Sequence, residues 1–471
     1  MIVHTMDTQV NRVLSDYYRL PSGILLSAES SSLSGDPGFF RFGPKTICYG
    51  RCNRGVAPDL DGSDRFDALE QFHMDGHKIS LPFDASEVVE NLRRERYERK
   101  MMQGRERLVT HEWVRKAYYF GRELLPVSIR RHLQRAYFSD WNSRPFPSWP
   151  LDTTVDRFHE GLLRLLMEAN GVSRIPFIWF WPQGAPSCLI MTHDVETAAG
   201  RDFTDRLMDL DDSYGIKASF QVIPEKRYKV PPEYVDRIRD RGFEFNVHDL
   251  NHDGNLYQRR EEFLRRATRI NEYCRRYGAH GFRAGAMYRI TDWYDAFEFS
   301  YDMSVPNVAH LEPRRGGCCT VMPYFVGDIV ELPLTTIQDY ALFHLLNDYS
   351  IDLWKIQLDL IRRQNGLMSF IAHPDYLIDD RARKVYESLL DYLQKMIACE
   401  NIWNPTPGAV DRWWRARSQM RLVQENGHWE IEGPESERAR VAYASVEDGQ
   451  LVFTLQTDAT EKIHPTDRLS L

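Results

Sequence analysis

From residue 188 to about 400 the chain alternates short apolar runs with longer amphipathic ones, and that alternation leaves few folds open. CLIMTHDV (188–195), ASFQVI (218–223), FEFNVHD (243–249) and GFRAG (281–285) read as strands. AGRDFTDRLMDLDDSYG (199–215), PEYVDRIRDRG (232–242) and LYQRREEFLRRATRINEYCRRYG (256–278) read as the helices between them. Strands separated by helices pair in parallel through right-handed crossovers. DWYDAFEFS (292–300), VELPLT (330–335), SIDLWKIQLDLIRRQNG (350–366), LMSFIAH (367–373) and DRARKVYESLLDYLQKMIA (380–398) extend the series to six or seven units. The expected fold class is α/β, a (β/α) barrel, and six or seven units leave open whether it is complete.

The flanks read differently. A chain of 471 residues is long enough for two or more domains. We expect an α-rich N-terminal region over 1–150, the barrel over 151–400, and a small antiparallel β unit with a tail over 401–471. SRPFPSWP (143–150) is a proline-broken linker, and TVDRFHEGLLRLLMEANG (154–171) is an amphipathic helix ending at Gly171. The arginine-rich stretch VRKAYYFGRELLPVSIRRHLQRAYF (114–138) interleaves bases with aromatics. It packs its aromatics and solvates its arginines, or it makes peripheral contact with an anionic membrane surface. IPFIWFWPQG (175–184) is core or a sugar-stacking surface. Past residue 400 the helices are expected to stop, and Asn-Gly and Asp-Gly hairpin signals mark 419–456 as antiparallel β.

A net charge of −8 argues against nucleic acid as the partner of the chain as a whole. Seven scattered cysteines form no disulfide framework and suit a reducing compartment. No run approaches the roughly 20 apolar residues of a membrane span, and the first residues lack the pattern of a secretory signal. A cytoplasmic location is expected; nothing in the sequence sets the oligomeric state.

In a β/α barrel the reacting groups stand at the C-terminal ends of the strands. Four polar clusters fall there: THDVE (192–196), HDLNH (248–252), FRAG (282–285) and AHPD (372–375). Each has an ordinary explanation. Two histidines four apart are a frequent accident, an aspartate at a strand end is often a helix cap, and a lone histidine is usually a satisfied polar residue. Their joint placement raises the odds of a site. Two neutral imidazoles and one carboxylate make a three-ligand centre with positions open for water and substrate, as catalytic zinc requires. A second carboxylate would serve as general base, a histidine from another strand as acid, and an arginine pairing in bidentate fashion would keep the base ionised.

The order THDVE, HDLNH, FRAG, AHPD resembles the NodB-like polysaccharide deacetylases over roughly 186–400. These are metal-dependent hydrolases on a distorted β/α barrel that remove N- or O-linked acetyl groups from sugars. The resemblance implies Asp194 as the base. The family's usual next residue is a metal-binding aspartate, and here it is Val195; the chain looks like the Asp-x-Glu variant, which makes Glu196 the carboxylate ligand beside His248 and His252. It also implies that Arg283 orients Asp194, and that His373 is the general acid, with Ile371 lining the acetyl pocket. The usual Arg-x-Pro-Tyr is absent from RAGAMYR, leaving Tyr288 as the candidate there, and Asp339 in ELPLTTIQDY is the candidate for the fourth motif. The implied cofactor is a divalent metal, zinc by ligand type, with cobalt, nickel or manganese also compatible. The implied partner is an acetylated sugar or glycan.

Two other activities fit the same residues. One is hydrolysis of a different C–N bond, such as that of a cyclic amide, and the other is non-catalytic carbohydrate binding. Cys318 and Cys319 lie in the glycine-rich RRGGCCTVMP (314–323), where buried thiols in a turn are expected over a metal site.

Overall fold

The computed structural model describes residues 8–98 apart from short stretches between 22 and 77, then 138, 141–426 and 428–456. The stretch 114–138, with both of its readings, packed aromatics or membrane contact, lies outside these residues except for Phe138. The chain forms two compact units. One comprises Met102–Asp152 and Pro186–Arg412, the other Met1–Met101, Thr153–Ala185 and Trp413–Leu471. The three consecutive blocks expected from the sequence therefore give way to an interleaved division. The reason is a strand pairing: Arg174–Ile178 runs antiparallel to Val441–Glu447, which ties the segment after residue 153 to the C-terminal hairpin.

The first unit is α/β. Its strands are β1 (Cys188–Val195), β2 (Ser219–Val222), β3 (Glu244–His248), β4 (Gly281–Arg283), β5 (Tyr301–Asp302), β6 (Tyr324–Val326), β7 (Ile329–Glu331) and β8 (Leu367–Ile371). They form one eight-stranded sheet in the order β6-β7-β5-β4-β3-β2-β1-β8. Every neighbouring pair is parallel except the β6–β7 hairpin. All eight residues of β1 are buried, as a central parallel strand covered on both faces must be. The main helices are α1 (Ala198–Ser213), α2 (Pro232–Asp240), α3 (Arg260–Tyr277), α4 (Asp352–Arg362) and, after the last strand, α5 (Asp380–Glu400). Helix α3 shows why they lie on the sheet: Phe263, Ala267, Ile270, Cys274 and Tyr277 are spaced at three and four, and all are buried. It stops at Gly278, which takes a left-handed φ of 57°.

The sheet does not close by a backbone ladder, since β6 and β8 are its edges. Instead, the chain beyond β7 reaches β8 through threonine hydroxyls and one backbone bond, Thr336 N donating to Ser369 O at 3.3 Å. Thr335 Oγ1 donates to Leu367 O at 2.7 Å and accepts from Ser369 N at 2.9 Å. Thr336 Oγ1 donates to Ser369 O at 2.7 Å.

Some elements depart from the sequence reading. DWYDAFEFS is a 3-10 turn, Thr291–Ala296, followed by the two-residue β5. Its aromatics are taken up by packing, with Phe299 stacked 4.8 Å from Phe282. In VELPLT the strand ends at Glu331, two residues before Pro333, which has no N–H for a ladder. The hairpin strand β6 was not expected. Nor do helices stop at 400, because Pro407–Gln419 is helical, and Trp413 Nε1 donates to Phe180 O at 2.8 Å. Among the described residues no helix is long and apolar enough to cross a membrane.

The second unit carries two antiparallel hairpins, Arg421–Glu425 with His428–Glu432 and Val441–Glu447 with Gln450–Leu455. In the latter, Asp448 and Gly449 have φ of 50° and 76°, the mirror-image turn that the Asp-Gly signal implies. Phe177, Trp179, Phe180 and Trp181 are buried there, and Phe177 packs edge-on against Phe453 at 5.2 Å. The 175–184 aromatics are thus core of this unit.

Candidate metal centre and active site

Strand alternation decides which residues of THDVE face the site. Side chains two apart share a face. His193 and Val195 turn to the helix side. His193 Nε2 lies 2.9 Å from Asp211 Oδ2 of α1, and Val195 joins the main apolar core. Thr192 and Asp194 turn the other way, and Glu196, next on that face, follows at the end of β1. An Asp-x-Glu spacing therefore delivers two carboxylates to one side, with the valine between them spent on packing.

His248 is the last residue of β3. Its Nδ1 lies 3.0 Å from Arg283 O, and a carbonyl only accepts, so Nδ1 carries the proton and Nε2 keeps a lone pair. Beyond β3 the chain turns sharply, with φ of 53° at Asp249 and 55° at His252. Three contacts hold this turn. Arg227 Nη2 donates to His252 O at 2.8 Å, and Arg266 on α3 grips Asp253 with two bonds of 2.7 and 2.9 Å. Asn251 Oδ1 accepts from Asp253 N at 3.2 Å. Gly285 supplies the space for the turn, since a Cβ there would stand 2.6 Å from Asp249 Oδ2 and 2.9 Å from the His252 ring. The amides and acids around the two histidines thus form a scaffold for the second one.

The two imidazoles meet Glu196. Its Oε1 lies 3.0 Å from His252 Nε2 and 4.0 Å from His248 Nε2. One ligand atom from each of Glu196, His248 and His252 falls within 4.8 Å of the others. Both Nε2 atoms are buried and turned to the Glu196 carboxylate, and among the described residues neither makes a well-aligned hydrogen bond. Two ring nitrogens and a carboxylate buried so close together are costly unless their lone pairs are matched, by a shared proton or by an ion. Two nitrogens and a carboxylate oxygen fit a divalent ion of the zinc type. Burial raises the Glu196 carboxyl, but the imidazoles, His252 first, outweigh it and hold it well below the usual range. In turn Glu196 raises His252 against the lowering effect of burial.

Asp194 stands beside this group, with Oδ2 3.8 Å from His248 Nε2. Arg283 Nη1 donates to Asp194 Oδ1 at 2.6 Å and to Thr192 Oγ1 at 2.8 Å, while Nε donates to Met303 O at 3.0 Å. The pairing runs through one nitrogen, not the bidentate fork expected, because Nε is committed to the carbonyl of Met303, just past β5. Burial raises the Asp194 carboxyl, yet Arg283 above all, with His248 and His373, leaves it below its ordinary value.

His373 follows β8 on the opposite side. Asp339 holds it twice, Oδ1 lying 2.6 Å from Nδ1 and Oδ2 accepting from the backbone N at 2.7 Å. Its Nε2 points towards the ligand group, 3.7 Å from Glu196 Oε1. Burial lowers its pKa, but Asp339, Glu196 and Asp194 together lift it to about 10. Ile371 packs with Met287 and Leu334 in a small apolar cluster of its own.

The structure therefore brings Asp194, Glu196, His248, His252, Arg283, Asp339 and His373 around one point at the C-terminal ends of the strands. Tyr288 is half-buried just after the Gly285–Met287 turn. Cys318 and Cys319 stand apart from the group. Both are buried, and their thiols donate to Thr320 O at 3.7 Å and Gly317 O at 3.5 Å. Sequence reasoning missed Asp211 and Tyr386, which anchor His193, and Arg227. Only the fold shows where these reach.

No family model matches the chain, and no curated protein matches it. Solved structures align with about half of its length at low identity. A protein from Mycobacterium smegmatis described as a polysaccharide deacetylase is 18% identical, with a TM-score of 0.42, over 53% of this chain and 98% of that one. One from Bordetella bronchiseptica, described as a polysaccharide deacetylase involved in O-antigen biosynthesis, is 17% identical over 50% and 86%, with a TM-score of 0.32. A peptidoglycan deacetylase from Bacillus subtilis is 13% identical over 48% and 90%, with a TM-score of 0.31.

Proposed function

We propose that the chain is a divalent-metal-dependent hydrolase that removes an acetyl group, N- or O-linked, from a sugar or polysaccharide precursor. One observation carries this reading: the Glu196–His248–His252 group lies between an arginine-held aspartate and an aspartate-held histidine. Such an arrangement serves addition of water to a carbonyl followed by protonation of a leaving group.

Zinc held by Glu196, His248 and His252 would polarise the acetyl carbonyl and acidify a water. Asp194 takes the proton of the attacking water at Oδ2, because Oδ1 is engaged by Arg283. The guanidinium keeps Asp194 ionised and fixes its orientation. His373 gives the proton on Nε2 to the departing nitrogen or oxygen, and Asp339 holds Nδ1–H and stabilises the imidazolium beforehand. Water has then added to the acyl carbon, the C–N or C–O bond has broken, and acetate and a free amine or hydroxyl leave. Ile371, Met287 and Leu334 form an apolar wall suited to the acetyl methyl.

The test is metal content of purified protein, wild type beside His248→Ala, followed by acetate release from acetylated amino sugars and O-acetyl sugars. Near-stoichiometric metal lost in the variant, with acetate release lost in Asp194→Asn, is the expected result. Turnover of a cyclic amide without acetate release would overturn it. So would sugar binding that survives Asp194→Asn with no turnover in the wild type.

A further inference from the structure

The turn after β8 also reaches the loop that carries Glu196. Asp375, two residues beyond His373, is half-buried there. Its Oδ2 accepts from the backbone N of Glu196 at 3.1 Å, and its Oδ1 accepts from the Thr197 hydroxyl. Thr197 in turn caps α1, its Oγ1 accepting from Gly200 N at 3.2 Å. The carboxylate sits close against Gly200, where a Cβ would come within 2.5 Å of Oδ2. The first turn of α1 is a favourable place for negative charge.

Glu196 needs such support. It lies one residue past the end of β1, so no strand ladder holds its backbone. Its side chain has one more torsion than aspartate and more freedom to lose on binding an ion. We propose that Asp375 is a positioning residue for the metal centre: by holding the amide of Glu196 and the hydroxyl of Thr197, it sets where the Glu196 carboxylate stands and so how tightly the ion is bound. The inference rests on the reading of Glu196 as a metal ligand. One short segment, His373-Pro374-Asp375, then governs both sides of the site, presenting the proton donor and fixing the acidic ligand.

The test uses full-length protein stripped of metal and titrated with zinc against a chromophoric chelator, and with cobalt followed by its visible absorption. Four proteins are compared: wild type, Glu196→Ala, Asp375→Asn and Gly200→Ala. Asp375→Asn is expected to weaken zinc binding about 10- to 100-fold and to change the cobalt spectrum, as loss of a support to a ligand does. Gly200→Ala, whose methyl displaces Asp375 Oδ2 without removing a polar group, should move both readouts the same way, and it serves alone should Asp375→Asn not fold. Wild-type affinity and spectrum in Asp375→Asn and Gly200→Ala, alongside loss of metal in Glu196→Ala, would overturn the role of Asp375. Undiminished binding in Glu196→Ala would overturn the ligand reading itself.

Discussion

At the scale of single residues, the site depends on a few close approaches. Gly285 is one. A methyl there has no room beside Asp249 and the His252 ring, so Gly285→Ala should push His252 away and weaken zinc binding tenfold or more, read by chelator competition. Arg283 is another. Asp194 is buried, and the guanidinium is the main influence keeping its carboxyl low. Arg283→Lys should therefore raise that pKa and shift the acid limb of the rate–pH profile upward, by about 1 to 3 pH units; an unmoved limb would show that Asp194 is not the group being titrated. The residues of the cluster were legible because strand alternation and strand ends mark them directly. Asp194 and Glu196 sit two apart, and His248, Arg283 and His373 close or follow strands. Asp375 and Arg227 carry no such mark. Their work is done through contacts with segments far away in sequence, which only the folded chain brings near.

At the scale of elements, the long amphipathic helices and buried parallel strands were readable from their period, and their bounds shifted by only a few residues. What escaped was short or atypical. β6 has three residues, and the helix Pro407–Gln419 carries two tryptophans and three arginines that blur its apolar stripe. The joining of the chain beyond β7 to β8 was also invisible beforehand, because threonine hydroxyls make most of it. Thr335→Val keeps the shape and removes one donor and one acceptor, leaving Leu367 O and Ser369 N buried and unmatched. It should destabilise the protein by about 1–3 kcal/mol in urea unfolding, whereas Thr335→Ser should stay close to wild type.

At the scale of the whole molecule, both units bury neutral histidines, and the sign of their effect follows. Burial lowers His159 from its ordinary 6.5 to about 3 in one unit and His310 to about 4 in the other. The unfolded chain takes up these protons near 6.5 and the folded chain does not. The stability they contribute is complete above pH 6.5 and falls as the pH drops towards 4. His373 acts in the opposite sense: raised to about 10, it contributes stability that is complete below 6.5 and is lost as the pH rises towards 10. The difference in unfolding free energy between wild type and His159→Phe, from urea titrations, isolates one term, and wild type should lose stability relative to the variant by about 1 kcal/mol per pH unit between 6.5 and 5. A constant difference would mean that His159 is protonated in the folded protein. The interleaved division of the chain bears on its birth as well as its stability. Arg174–Ile178 leaves the ribosome roughly 260 residues before its partner Val441–Glu447, a wait of about 13 to 50 seconds at ordinary rates of synthesis. During that interval Phe177 and Phe180 can already meet Tyr17 and Tyr18, but the strand's hydrogen-bonding edge and the place of the Phe453 ring stay open until the last hairpin emerges.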